Sequence, residues 1–137
     1  HKYVEMVDLT KHQRLNTMTP TQLIEADARK RKLDASKVMK SIHDLIQSKK
    51  ATLMQEGDTL LLLRLLAPAT VEAHLFTEDQ PIKLARNILR IVEKMRKGGL
   101  KKVYGKADNP QIVQLLSKIG LNVQKPDQPK YNWMVIL

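Results

Sequence analysis

Residues 109–123 read NPQIVQLLSKIGLNV and carry the most specific pattern in the chain. Asp108 or Asn109 can cap a helix, Pro110 suits its first position, and Gly120 falls just past its end. Apolar residues recur at helical spacing between these limits, and LNVQK then reads as a short strand. The stretch predicts an amphipathic helix followed directly by a strand.

The helices and strands on either side follow a definite order. TPTQ at residues 19–22 predicts a helix over 20–33, since it joins an N-cap Thr to a Pro and a capping-box Gln. Helical spacing continues over 36–49, and ATLMQ, TLLLLRLLA and TVEAHLF then form a three-strand meander. A helix over 80–97, the strand LKKVYGKA and a closing strand KYNWMVIL complete the order. We expect one α/β domain over residues 19–137 and an extended or partner-dependent arm over residues 1–18.

With that order, the C-terminal segment resembles the fourth-helix region of the GNAT acetyltransferase fold. The matching positions are Asn109, Ile112, Leu115, Lys118 and Gly120. The resemblance covers residues 19–137 and implies an α+β domain with a mixed, mostly antiparallel central sheet flanked by helices. It also implies acetyl-CoA as the cofactor, if the chain is an enzyme.

The turn before the long helix departs from the family. There, acetyltransferases bind the pyrophosphate of acetyl-CoA through a glycine-containing loop, whereas this chain has Thr77, Glu78, Asp79, Gln80 and Pro81. The segment lacks glycine, its proline lacks an N–H donor, and its carboxylates repel an anion. We predict that Asp79 caps the helix in place of a phosphate and that no cofactor binds. In the alternative, acetyl-CoA binds here with help from the cations Lys83 and Arg86.

The catalytic residues that the resemblance implies are also incomplete. The family's tyrosine, which protonates the leaving thiolate, falls at Leu116, and leucine cannot donate a proton. Tyr104 on the preceding strand is a substitute candidate. Glu72 and His74 lie two residues apart on one strand face, where the family often places its general base, so each is a candidate base. The alternative for this pair is a solvated or hydrogen-bonded polar face.

The charge of the chain points to an anionic partner. Lys and Arg outnumber Asp and Glu by 24 to 14, giving a net charge of +10. Five cations recur every three or four residues on the long helix and form a basic face: Lys83, Arg86, Arg90, Lys94 and Lys97. This face is either solvated or a contact for nucleic acid, another anionic surface or an acidic partner. Aromatic residues make up only 4% of the chain, which argues against a single-strand binder that stacks bases.

Other classes of function are disfavoured. The chain has no cysteine and its four histidines lack ligand spacing, so we predict no metal site. No apolar run reaches the roughly 18 residues of a membrane span. The N-terminus shows no signal peptide, so we expect an intracellular protein of the virion or host cytoplasm.

Two main functions remain open. The first is a catalytically inactive GNAT-like domain that assembles with other protein subunits, because the pattern is similar to internal virion proteins of short-tailed bacteriophages. The alternative is an acetyl-CoA-dependent N-acetyltransferase with an atypical cofactor loop. A third reading, a nucleic-acid binder in its own right, rests on charge alone.

Overall fold

A computed structural model describes residues 17–137, so nearly all of the predicted arm lies outside the described residues. The order of helices and strands is the predicted one. The elements are α1 (Pro20–Lys30), α2 (Ala35–Gln47), β1 (Ala51–Glu56), β2 (Thr59–Ala67), β3 (Thr70–Thr77), α3 (Pro81–Lys97), β4 (Lys102–Gly105), α4 (Pro110–Lys118), β5 (Asn122–Gln124) and β6 (Trp133–Ile136).

The predicted helix starts are largely confirmed. Thr19 and Gln22 form the reciprocal capping box of α1, and the Asn109 side chain caps α4. The end of α1 comes three residues earlier than predicted. The chain turns at Lys32, which has a positive φ of 57°, and Asp34 then caps α2 through the N–H groups of the next turn. The four consecutive cations at residues 29–32, RKRK, therefore straddle the end of α1.

The strands form one six-stranded sheet in the order β1-β2-β3-β4-β6-β5. Only β3 and β4 run parallel, and the other four pairings are antiparallel. The predicted mixed, mostly antiparallel sheet is therefore confirmed.

Helices cover both faces of the sheet. The α1 and α2 helices pack on one face through Leu23, Ile24 and Ile42, which meet Phe76 of β3. The α3 helix packs on the other face through Ile91 and Met95, and α4 joins it through Leu116. The first five residues of β2 are buried on both faces of the sheet, which explains the continuous run of leucines at residues 60–63.

The last residues of the predicted arm are fixed to the domain. The N–H of Met18 donates to Asp58 Oδ1 at 2.7 Å, and its carbonyl accepts from Gln55 Nε2 at 2.8 Å. Within the described range, no helix is long and apolar enough to cross a membrane.

Candidate functional site

A cleft opens where β3 and β4 stop pairing. The two strands are in register only from Thr70 and Lys102 to Glu72 and Tyr104. Beyond this point β3 runs on to Thr77, whereas β4 ends at Gly105 and the chain turns away into α4. The divergence leaves a cavity of about 340 Å³. This volume lies within the range of about 300–1,000 Å³ that is usual for ligand sites.

The cleft has an apolar interior and a charged rim. Its interior side chains come from α3, α4, β4 and β6, and include Ile88, Val92, Ile112, Leu116 and Val135. The rim consists of Asp27, Lys30, Arg31, Lys106 and Asp108. An apolar cavity with a few polar groups at its mouth is typical of a site for a small organic ligand.

Gly105 and Trp133 shape one wall of the cleft. They lie opposite each other on β4 and β6, and a Cβ atom at Gly105 would come within 2.0 Å of the indole ring. Any other residue at position 105 would therefore displace Trp133, which lines the cavity. Sequence reasoning missed this pair, because nothing local to either residue reveals the contact.

The prediction that Asp79 caps α3 is wrong. The N-cap residue is Gln80, and it makes no side-chain capping bond. Asp79 Oδ2 instead accepts from the Asp58 N–H at 3.0 Å, Thr59 Oγ1 at 2.8 Å and Asn87 Nδ2 at 2.8 Å. Because Thr59 and Asn87 are buried, their donors need this acceptor more than the exposed helix end does.

The second carboxylate of the turn is also engaged. Glu78 forms an ion pair with Lys30 at the end of α1. Both negative charges that were predicted to repel a phosphate therefore have cationic or hydrogen-bonding partners. The first turn of α3 contains no acidic residue. The turn still lacks glycine, and Pro81 still lacks a donor.

Arg31 links the two sides of the cleft mouth. Its Nε lies 3.0 Å from Asp27 Oδ2 within α1, and its Nη1 lies 2.7 Å from Asp108 Oδ2 in the turn before α4. In the sequence, Arg31 is distinguished only as one of four consecutive cations, RKRK at residues 29–32, at the end of a helix. Its partner is 77 residues away, so no local pattern predicts the pair.

The structure separates the two candidate bases. His74 lines the cleft and reaches solvent, with its ring centroid 4.7 Å from that of Phe76. Partial burial of the ring lowers the pKa of His74, and the positive charge of Arg31 lowers it further, against weaker opposing effects of Asp27, Glu72 and Asp108. The imidazole is therefore neutral at pH 7 and can accept a proton.

Glu72 lies outside the cleft. It accepts two hydrogen bonds from Arg64, at 3.1 and 3.0 Å, and a third from the Tyr131 hydroxyl, while Lys130 Nζ lies 3.9 Å away. Burial raises the pKa of Glu72, but the hydrogen bonds from Arg64 and Tyr131 outweigh burial and lower it overall. A carboxylate held in this way is a poor general base.

Tyr104 does not line the cleft either. It is 2% exposed, stacks on Tyr131 at a centroid distance of 5.1 Å, and donates from its hydroxyl to Asp127 Oδ1 at 2.6 Å. The hydrogen bond to Asp127 is the main cause that raises the pKa of Tyr104. Leu116 is buried in the cleft wall. Among the described residues, no tyrosine lines the cavity.

The predicted basic face is exposed and separate from the cleft lining. All five cations lie on the solvent side of α3, and none of them lines the cleft. Lys94 lies 3.5 Å from Glu56, and Lys97 lies 3.9 Å from Glu93. Within residues 17–137, no group of three or more histidines or acidic residues could hold a metal ion.

Comparison with known proteins supports the fold. A structure from Vibrio cholerae, described as a "putative ribosomal-protein-serine acetyltransferase", shares 12% identity over 99% of this chain and 86% of that one, with a TM-score of 0.54. An acetyltransferase from Bacillus subtilis, solved in complex with CoA, shares 15% identity over 67% of this chain and 79% of that one, with a TM-score of 0.45, too low to support an argument. No family profile matches the sequence, and no curated protein matches it. The chain therefore has a GNAT-like fold, and the likeness concerns the fold alone.

Proposed function

We propose that the chain binds acetyl-CoA in the β3–β4 cleft and catalyses transfer of the acetyl group to an amine. The observation that supports this most strongly is the cavity of about 340 Å³ between the two diverging parallel strands. In an assembly module that has lost its ligand, we expect side chains to fill this space. The space is open, although Leu116 packs into its wall.

The residues present fit such a ligand. The apolar interior suits an extended thiol arm. At the rim, Lys106 has no ion pair among the described residues and offers positive charge to a phosphate, whereas Lys30 and Arg31 already pair with Glu78, Asp27 and Asp108. The N-terminus of α3 is not capped by a side chain, so its free N–H groups add positive potential next to this rim. Lys106 and these N–H groups can supply part of the phosphate recognition that the glycine-free turn lacks.

His74 is the best candidate for the general base. When bound, acetyl-CoA would supply a thioester carbonyl: as the amine forms its bond to this carbon, the C–S bond would break and the CoA thiolate would leave, taking its proton from solvent because no tyrosine of the described residues lines the cavity. His74 is neutral at pH 7 and lines the cleft, so its unprotonated ring nitrogen can take the proton that the amine loses. Glu72, the other candidate, is held by Arg64 and does not line the cavity.

Calorimetric titration with acetyl-CoA and with CoA tests the binding step, at moderate salt to screen nonspecific attraction. Ala107 lines the cleft, so the bulky variant Ala107→Phe should abolish saturable binding. Ala67→Phe, at an exposed position at the end of β2, is the matched control and should bind as the wild type does. Absence of binding at millimolar ligand to the folded wild-type chain would refute the proposal.

A second candidate function is a domain without catalytic activity, used in assembly with other protein subunits. Leu116 at the family's tyrosine position, with Tyr104 outside the cleft, favours it. The two candidate functions differ in whether the protein consumes acetyl-CoA. Release of free CoA thiol in the presence of primary amines or peptides supports transfer, whereas binding without thiol release supports the inactive domain. The virion placement rests only on the sequence pattern and stays a prediction.

A further inference from the structure

A second cavity lies beside the basic face of α3. It measures about 200 Å³, and it shares only Met95 with the cleft. Its walls are the start of β1 and the C-terminal end of α3, and three lysines lie around it: Lys49, Lys50 and Lys94. Because Lys94 also belongs to the basic face, the cavity and the face form one continuous surface. We call this surface the basic groove, and its cations are Lys49, Lys50, Lys83, Arg86, Arg90, Lys94 and Lys97.

The cations of the basic groove form a linear array. Those on α3 run from Lys83 to Lys97, 14 residue steps apart, which corresponds to about 21 Å at a rise of 1.5 Å per residue. All seven are exposed. In the described part of the chain, only Lys94 and Lys97 of the seven lie within 4.0 Å of a carboxylate, and these partners are Glu56 and Glu93. The other five keep their full charge available for a partner.

A regular row of exposed cations fits a linear polyanion. Globular partners are usually held by an aromatic or Met anchor with a polar rim. This surface has no aromatic residue, and its two methionines, Met54 and Met95, are buried. The exposed apolar residues of α3, Ile82 and Leu89, lie two turns apart, and the positions between them on the same face are the small Ala85 and the charged Arg86. They do not form a continuous apolar strip of the kind that inserts into a membrane surface.

The aromatic residues distinguish a duplex from a single strand. Phe76, Tyr104 and Tyr131 are buried, and Trp133 is half-buried in the cleft wall. No Phe, Tyr or Trp side chain in residues 17–137 is therefore exposed for base stacking, on which single-strand binding usually depends, and neither exposed histidine, His43 or His74, lies in the groove. Contacts to the phosphates need no such platform.

We propose that the basic groove binds the phosphate backbone of double-stranded nucleic acid without reading its bases. Duplex DNA and duplex RNA share this chemistry. The inference is independent of acetyl-CoA binding, because the groove lies outside the cleft.

Fluorescence anisotropy with labelled duplexes tests the proposal. Two DNA duplexes of unrelated sequence, an RNA duplex and a DNA single strand, each of about 20 nucleotides per strand, are titrated between about 50 and 200 mM salt. The groove variant is Lys50→Gln, Arg90→Gln and Lys97→Gln. The matched control is Lys37→Gln, Lys40→Gln and Lys118→Gln, three exposed lysines outside the groove. Both variants have the same net charge, and circular dichroism verifies that each is folded.

We expect the wild type to bind both DNA sequences equally. In the groove variant, the slope of log affinity against log salt becomes shallower by about 2.7, because each lost phosphate contact changes it by about 0.9. The control variant keeps the wild-type slope. The RNA duplex shows whether the shape of the double helix matters in addition to its charge.

Three outcomes would overturn the proposal. Equal losses in the two variants would show attraction by diffuse charge alone. Tighter binding to the single strand would exclude a duplex site. Binding to vesicles of anionic lipid or to polyglutamate, with no binding to any of the three duplexes, would assign the groove to another class of partner.

Discussion

Each end of the β3–β4 pair contains one ionisable side chain of β3, and the two side chains differ in whether neighbouring residues bind them. At the closed end, where the strands are in register, Glu72 is held by Arg64, Tyr131 and Lys130. At the open end, two residues further along the same strand, His74 faces the cleft and has no hydrogen bond or ion pair with any described side chain. Polar side chains at the closed end are thus saturated by their neighbours.

This difference shows that a polar side chain on β3 is free to react with a ligand only where the neighbouring strands offer it no hydrogen-bonding or charged partner. Both side chains lie on the same face of β3, because residues two positions apart in a strand share a face. The antiparallel neighbour β2 places Arg64 directly opposite Glu72, whereas it places Leu62 opposite His74. Arg64 therefore forms hydrogen bonds and an ion pair with Glu72, whereas Leu62 can form neither with the imidazole of His74. Substitutions at the two ends should therefore have different consequences.

The largest expected effect is on catalysis at the open end. We expect His74→Gln to lower kcat/KM for acetyl transfer by about 100-fold, because general-base catalysis contributes about 10²–10⁴. In the wild type, kcat/KM should fall on the acid side with a midpoint below 6.5, since burial and Arg31 lower the pKa of His74. Thiol release measured between pH 5 and 8 tests both expectations.

His43→Gln is the matched control for this prediction, because His43 is exposed on α2 and does not line the cleft. An equal loss of activity in the two variants, or none in His74→Gln, would exclude His74 as the base. An unchanged thermal midpoint in His74→Gln separates loss of the base from loss of the fold.

Features that depend on short stretches of sequence could be predicted. TPTQ and NPQ start helices at the expected residues, because capping involves donors within three positions. The meander and the mixed sheet follow from strand periodicity and element order. The face shared by Glu72 and His74 follows from strand alternation alone.

The rest depends on contacts between distant segments. Asp79 meets donors from the β1–β2 turn and from α3, and these buried donors outweigh its preference as a cap. Arg31 finds Asp108 across the cleft mouth, and Glu72 finds Tyr131 at the other end of the chain. The cleft itself results from the unequal lengths of β3 and β4, which periodicity does not reveal.

A smaller effect, on stability, is expected at the closed end. We expect Glu72→Gln to lower the free energy of unfolding by about 1 kcal/mol at pH 7, since Glu72 is partly exposed and its partner Arg64 more so. The folded-state pKa of Glu72 is lowered, so its stabilising contribution is present above the unfolded value of 4.5 and is lost as the pH falls through the folded value. Urea unfolding measures the free energy of unfolding of wild type and Glu72→Gln at pH 7 and at acid pH. The difference between the two proteins should be smaller at acid pH.

A control and a second readout sharpen this comparison. Glu93→Gln breaks only an exposed contact of 3.9 Å and should cost less than about 0.5 kcal/mol. Burial and then Glu72 raise the pKa of Tyr131 to about 12, so Glu72→Gln should lower that pKa, as measured from phenolate absorbance. Acetyl transfer should change by less than about twofold, well below the roughly 100-fold expected for a lost base. A large loss of activity with unchanged stability would instead place Glu72 in the reaction.

The smallest effect expected is a change in the pKa of His74 when Arg31 is neutralised. Arg31→Gln removes the positive charge that lowers this pKa and leaves the carboxylates of Asp27, Glu72 and Asp108, which raise it. Burial of the ring, the largest cause, remains, so the pKa should rise only part of the way to its ordinary value. Titration of the His74 ring protons by NMR measures the change, and Arg29→Gln, an exposed neighbour on α1 outside the cleft lining, is the control. Arg29→Gln should leave the pKa of His74 unchanged. If Arg31→Gln also leaves it unchanged, the open end is not under the electrostatic control of the Arg31 bridge, and burial keeps its imidazole neutral.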